Sequence, residues 1–145
     1  MSKQIEVTIL GEPKGKGRPR FNTRTGHAMT PTDTVNYETL VKMEYTEQTG
    51  GYRFPDDAML DLRILAYYSI PQSKSKKIRE QMRKGILRPK KKPDMDNVVK
   101  IIADSLNQIA YRDDTQIVDC QCRKFYSDRP RVVFRIREVR EEQEE

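Results

Sequence analysis

The stretch Lys92 to Val118, KPDMDNVVKIIADSLNQIAYRDDTQIV, carries the reading of the fold. Pro93 favours an extended residue before it and suits a helix start. Asp94, Asp96 or Asn97 can cap that start, so a helix is predicted from Asp94 or Met95 to Ile109. At about 100° per residue, Met95, Val98, Val99, Ile102, Leu106, Ile109 and Ala110 share an apolar arc. Asp96, Lys100, Asp104 and Asn107 share the opposite, polar arc. A turn at Tyr111-Arg112-Asp113-Asp114 then leads into a strand from Gln116 to Tyr126.

Outward from this helix, the strongest strand is Ala58 to Ile70, whose Leu60, Leu62, Ile64, Ala66 and Tyr68 alternate onto one face. Gln4 to Leu10 alternates in the same way through Ile5, Val7 and Ile9. Residues 11–30 hold Gly11, Gly15 and Gly17 with Pro13 and Pro19 and read as a long loop, a kind that is usually functional. Thr32 or Asp33 starts a predicted helix to Thr49, with Val35, Leu40, Val41 and Met43 as its apolar side, ended by Gly50-Gly51. Ser73 to Lys84 reads as a short basic helix and Arg88 to Pro93 as an extended basic stretch. Arg131 to Val139 is a last strand, with Val132, Phe134 and Ile136 inward, and it is expected to form a hairpin with Gln116 to Tyr126. This order of elements gives an α+β fold with a mixed or antiparallel sheet. The 145 residues suit a single domain over 1–140, with an acidic tail at 141–145.

Charge narrows the function. The net charge is +6, but the tail EEQEE holds four carboxylates, and without it the chain carries +10. Gly11 to Arg24 has Lys14, Lys16, Arg18, Arg20 and Arg24 against Glu12 alone. Gln72 to Lys92 has ten basic residues against Glu80 alone, among them Lys74, Lys76, Lys77, Lys90, Lys91 and Lys92. Clusters of one sign on a surface that normally mixes signs point to a polyanion such as DNA. No apolar run reaches the roughly 18–20 residues of a membrane span, and MSKQIEVTILGEPKG has no long apolar stretch, so it is not expected to act as a secretory signal. Cys120 and Cys122, two apart in a strand, are poorly placed for a disulfide and read as small core residues, consistent with a reducing cytosol. The lone His27 gives little support to histidine-based catalysis.

The acids beside these basic clusters need an explanation. One reading is helix capping and i,i+4 pairing, with Lys100 one turn from both Asp96 and Asp104. The other is a divalent-cation site. Hard cations take carboxylate oxygens, water and substrate phosphate, and phosphodiester hydrolysis uses them to polarise the phosphoryl group. A neighbouring lysine can stabilise the added charge or orient water. Other motifs fail in detail. An EF-hand needs Asp or Asn then Gly where Val98 and Val99 stand, and GEPKGKG lacks the Lys-Ser/Thr order of a phosphate loop.

The pattern of a basic lead-in, D-x-D-N, a lysine four residues on, D-x-L within the helix, then D-D-x-Q-[IV], resembles the RusA family of Holliday junction resolvases. Here it stands as Asp94, Asp96, Asn97, Lys100, Asp104, Leu106, Asp113, Asp114, Gln116 and Ile117. The resemblance implies a RusA-like, dimeric fold and a Mg²⁺-dependent endodeoxyribonuclease, with Mn²⁺ as an alternative ion, that nicks four-way junctions in pairs during recombination and repair. It implies Asp94, Asp96, Lys100 and Asp114 as catalytic residues, Asp94, Asp96 and Asp114 as metal ligands, and Asp104 and Asp113 in support. The expected setting is a bacterial cytoplasm, with a phage or prophage gene. The competing expectations are a nuclease for flaps or other branched DNA, and a catalytically silent phage DNA-binding protein.

Overall fold

The computed structural model describes residues 3–17, 20–21, 28–29 and 32–140; Arg18, Arg24, His27, the side chain of Arg20 and the tail at 141–145 lie outside the described residues. The centre of the fold is the strand with the most apolar alternation. Leu60–Ser69 (β4) runs between two neighbours and buries Leu60, Leu62, Ile64, Ala66 and Tyr68 on one face. Gln4–Leu10 (β1) and Arg131–Glu138 (β6) pair antiparallel, β6 pairs antiparallel with β4, and β4 pairs parallel with Ile117–Ser127 (β5). The sheet order is therefore β1-β6-β4-β5. Arg20–Phe21 (β2) and Ala28–Met29 (β3) form a small separate ladder within the 11–30 stretch expected to be all loop.

The expected hairpin between the last two strands is not formed. β5 and β6 flank β4 on either side, so the short link 128–130 steps across the end of β4 instead of folding back on β5. Both late strands pair with the strand that buries most, and the sheet is mixed.

Thr32–Thr49 (α1) and Met95–Ser105 (α3) cover one face of the sheet, and Lys76–Arg83 (α2) sits against β5. The ends of α1 match the expectation, but its inward face differs. Thr34, Tyr37, Val41 and Tyr45 are buried, whereas Val35, Leu40 and Met43 are exposed. Two tyrosines supply the apolar stripe, because a ring buries far more area than its single hydroxyl costs. Tyr45 answers that cost by donating to the Tyr52 carbonyl. α3 buries Val98, Ile101, Ile102 and Ala103, with Leu106 just beyond its end, while Met95 is exposed. Cys122 packs partly buried against the core, but Cys120 is exposed, so only one of the two cysteines behaves as a core residue. No described helix is long and apolar enough to cross a membrane.

Candidate active site on the polar face of helix α3

Helix α3 places the acids, and its two ends do so differently. At the N-terminus, Asp94 is the cap: its Oδ1 accepts the Asn97 amide at 3.3 Å, satisfying one of the donors a helix start leaves unpaired. Asp96 lies in the first turn, exposed. The capping reading of Asp94 is thus correct as far as local structure goes, and it fixes where the helix begins.

The C-terminal end stops short of the expected Ile109. Helical bonding ends at Ser105, and Gln108 adopts a left-handed φ of 67°. The loop closes on itself as the Gln108 amide donates to the Tyr111 carbonyl at 2.8 Å. Buried Tyr111 anchors the loop by donating to the Ala103 carbonyl at 2.6 Å. This tight return carries Asp113 and Asp114 back to α3. The two adjacent acids then separate in role. Asp113 caps the short 3-10 turn Asp114–Gln116 by accepting the Thr115 amide at 3.0 Å, which holds its carboxyl below the usual range. The Asp114 amide donates to Asn107 Oδ1 at 2.8 Å. Its carboxyl is raised, first by burial and then by the facing Asp104 carboxyl, with Asp113 adding repulsion. Asp104 and Asp114 are therefore a facing pair of carboxylates.

Asp104 is also a meeting point for lysines. Lys100 lies one turn back at 3.6 Å, and Lys16 reaches it from the 11–17 strap at 3.4 Å. Lys16 simultaneously bonds Glu38 of α1 at 2.6 Å. Burial works to lower the Lys16 pKa, but Glu38 and Asp104 outweigh it and the net direction is upward. Lys16, expected to touch DNA, lines the cleft between the strap and α3 but is paired with two carboxylates, with 24% of its side chain exposed.

The strap is fixed at several points. The Gly11 amide donates to the Pro130 carbonyl, the Lys16 amide to the Asn97 carbonyl (each 3.0 Å), and the Gly17 amide to Thr34 Oγ1 at 2.9 Å. Glu12, the one acid of this basic stretch, accepts the Ser69 amide at 3.2 Å. Gly15 lies so close to α3 that a Cβ there would stand 2.8 Å from Asn97 Cβ and 2.9 Å from Pro93 Cβ. Glycine is needed here for close approach rather than for an unusual φ.

Between the strap and residues 91–97 lies a cleft of about 890 Å³, lined by Lys14, Lys16, Lys91, Lys92, Asp94 and Asn97 among others. Tyr68 forms part of its wall and donates to the Pro93 carbonyl. Lys124 of β5 donates to the Lys91 carbonyl at 2.8 Å, and burial lowers its pKa. Of the expected DNA contacts, Lys14, Lys90, Lys91 and Lys92 are exposed around this cleft or on its approach, and Lys74, Lys76 and Lys77 are exposed at the start of α2. Glu38, Tyr68 and Lys124 were not singled out by the sequence. Nothing in their local pattern signals a role, because each acts through a contact distant in sequence.

The expected three-acid ligand set is divided. Asp94 and Asp104 are ten residues apart on one helix, which separates their Cα atoms by about 15 Å along the axis. Among the described residues, no three His, Cys, Asp or Glu side chains form a group that could hold a metal ion. What is brought together is Asp104 with Asp114, two hard oxygen donors beside the Asn107 side chain, whose Oδ1 accepts the Asp114 amide. One or two carboxylates, completed by water and phosphate, suit Mg²⁺, so the donor chemistry at this end fits such an ion.

Comparison with known proteins bears on the whole chain. Residues 11–137 match the family model for Endodeoxyribonuclease RusA. An uncharacterised protein of Bacillus subtilis (strain 168), YqaN, is 39% identical over 139 residues, which is 93% of this chain and 96% of its own length.

Proposed function

The chain belongs to the RusA family of endodeoxyribonucleases, and from that premise we propose that it is a divalent-metal-dependent endonuclease resolving Holliday junctions by paired, symmetric nicks. The observation that carries this reading is the return of the turn to α3, which bonds the Asp114 amide to Asn107 at 2.8 Å beside Asp104 and Lys100, with a basic cleft at the other end of the helix. Paired carboxylates beside a DNA-binding surface repel phosphate unless a cation reverses the local sign.

In this reading the scissile phosphate lies along the polar face of α3. Lys14, Lys91 and Lys92 neutralise neighbouring phosphates and hold the strand in register. Lys100 stands one turn from both Asp96 and Asp104, where it can stabilise the charge gained by the phosphorus centre. Asp94, Asp96 and Asp114 are the proposed catalytic acids. Because about 15 Å separates the two ends of α3, Asp114 with Asp104 is the pair proposed to hold the ion, and Asp94 and Asp96 would join it only on binding DNA. Asp104 and Asp114 form the part already assembled without DNA, and Asp113 holds the turn that aims Asp114. A bound Mg²⁺ or Mn²⁺ supplies Lewis-acid polarisation of the phosphoryl oxygen. Two copies in a homodimer match a two-fold junction, each cutting one strand. A bacterial cytoplasm and a role in recombination and repair follow from the same reading.

The test is a substrate panel of an immobile four-way junction, a Y-shaped duplex and a linear duplex, each in Mg²⁺ and in EDTA. Paired symmetric nicks in the four-way junction alone, and only in Mg²⁺, support resolution. Equal cutting of the Y form identifies a general branched-DNA nuclease. Binding without nicking in Mg²⁺ or Mn²⁺ identifies a silent DNA-binding protein.

A further inference from the structure

Helices α1 and α3 cover one face of the four-stranded sheet. On the other, the end of α2 and the turn after it reach Phe125, where Arg88 lies over the ring at 4.4 Å, and the stretch around Arg63, Gln121 and Arg135 beyond it stays open. Strand register places the outward side chains of that open face in rows. Arg63 of β4 stands beside Arg135 of β6 and Gln121 of β5, and the next row sets Leu65 beside Val133 and Arg123. A shallow groove of about 200 Å³ runs among these residues, and no acid lines it.

At one end of the face, Asp61 is only 2% exposed although it points to the open side. Arg63 Nε and Arg137 Nη2 hold its Oδ2 at 3.3 and 3.1 Å. A buried carboxylate is costly unless paired, and here one carboxylate fixes two guanidiniums whose side chains remain 54% and 48% exposed. Arg135 pairs with Glu6 of β1 at 2.6 Å, both side chains half exposed, and Arg123 is exposed. Asp61 thus lies beneath the surface, Glu6 and the exposed Asp119 stand on the outer strands β1 and β5, and the Arg63 and Arg137 forks have their orientation set in advance. Planar forks of this kind suit phosphate oxygens.

We propose that this open sheet face is a second DNA-binding surface, which takes the phosphodiester backbone of a duplex arm across Arg123, Arg63 and Arg135. The three residues sit on adjacent strands, so they span roughly 10 Å, against about 3.4 Å of axis per charge on one DNA strand. A second copy of the chain docked face to face about a two-fold axis would set arginine against arginine, so charge favours the polyanion. The inference rests on the nuclease reading, and it adds a contact on the side of the sheet opposite α3 that would hold a second arm of a branched substrate.

The experiment is anisotropy binding of a labelled 30-base-pair linear duplex in EDTA across a salt series, with sedimentation velocity on each variant. R123Q/R135Q leaves the two cations on Asp61 in place and so keeps the fold. It should weaken binding several-fold and lower the slope of log affinity against log salt by about 0.9 for each phosphate no longer neutralised. R63K should weaken binding with the slope retained, because the charge stays and the fork is removed. An unchanged slope in R123Q/R135Q, alongside a lowered slope in K14Q/K92Q, overturns this inference and leaves the nuclease reading standing. A change of oligomeric state in R123Q/R135Q also overturns it, by assigning the face to a second copy. Failure of the wild type to bind either this duplex or a four-way junction overturns both.

Discussion

The two ends of helix α3 carry acids from one short motif, yet the fold uses them differently. At the N-terminal end, Asp94 is spent on capping and Asp96 stands in solvent beside a lysine-lined cleft. At the C-terminal end, Asp104 and Asp114 face each other, with Lys16 and Lys100 on Asp104. The first end is a local arrangement that any capped helix could make. The second is a tertiary one, assembled by a left-handed turn, a buried tyrosine and a strap from the other end of the chain. The difference teaches that spacing along the chain nominates candidate residues but does not say which of them the fold holds together.

The largest expected effect breaks the chemistry between the two ends. Lys100→Met should lower junction cleavage on the order of 10²–10³-fold while binding in EDTA changes little, as read by single-turnover kinetics beside a binding curve. Equal losses in binding and cleavage would demote Lys100 to a phosphate contact.

Next comes the strap that ties the ends together. Gly15→Val should destabilise the chain by about 1–3 kcal/mol, measured by urea unfolding, because its side chain meets Pro93 and Asn97. Lys16→Met should cost about 1 kcal/mol by leaving Glu38 and Asp104 without their shared cation. Lys14→Met should cost nothing measurable in stability and instead reduce the salt dependence of DNA binding. The two lysines, two residues apart, would then separate into a structural and a DNA-contacting role.

A smaller effect concerns the carboxylate pair and runs opposite to the loss of activity. The Asp114 carboxyl is raised in the folded chain, so the folded state holds its proton more tightly than the unfolded state. Its contribution to stability is then present below the unfolded carboxylate range and is lost as pH rises through the folded value. At neutral pH Asp114→Asn should therefore stabilise slightly. The gain should fade in acid, as followed by thermal melting across pH. Asp113 has the reverse sign. Its lowered carboxyl stabilises the fold above the unfolded range and loses that as pH falls, and Asp113→Asn, which keeps the cap, should be close to neutral.

The legible parts of this molecule are those set by near neighbours in sequence. β1 and β4 are visible in strict alternation, and α2 in its basic run, expected from Ser73 and observed from Lys76 behind a Ser75 cap. The start of α3 is visible in its proline and acids. The departures from expectation have one kind of cause. The stripe of α1 is carried by Tyr37 and Tyr45, whose rings pack inward although their hydroxyls look polar. The apolar spacing of Ile109 and Ala110 continues the helix pattern, but Gln108 has already turned left-handed to let Tyr111 bury itself. A three-residue link between β5 and β6 looks like a hairpin, yet β4 intervenes, and a parallel β4–β5 pairing leaves no local trace. In the candidate site, spacing places Asp96, Lys100 and Asp104 on one helix face, and the resemblance adds Asp94 and Asp114 as expected site residues; the Lys100–Asp104 pair stands at 3.6 Å. The capture of Lys16 by Glu38 and Asp104 was not readable, since these three residues come from the strap, α1 and α3.

The most direct measurement is cleavage and binding of one immobile four-way junction by the wild type, Asp96→Asn and Asp114→Asn, in Mg²⁺ and in EDTA. The expected result is paired nicking by the wild type in Mg²⁺ only. Both variants should lose at least about 10²-fold in cleavage and bind the junction in EDTA as the wild type does. Cutting by Asp114→Asn at the wild-type rate, or cutting by the wild type in EDTA, would contradict a metal-dependent site on the polar face of α3.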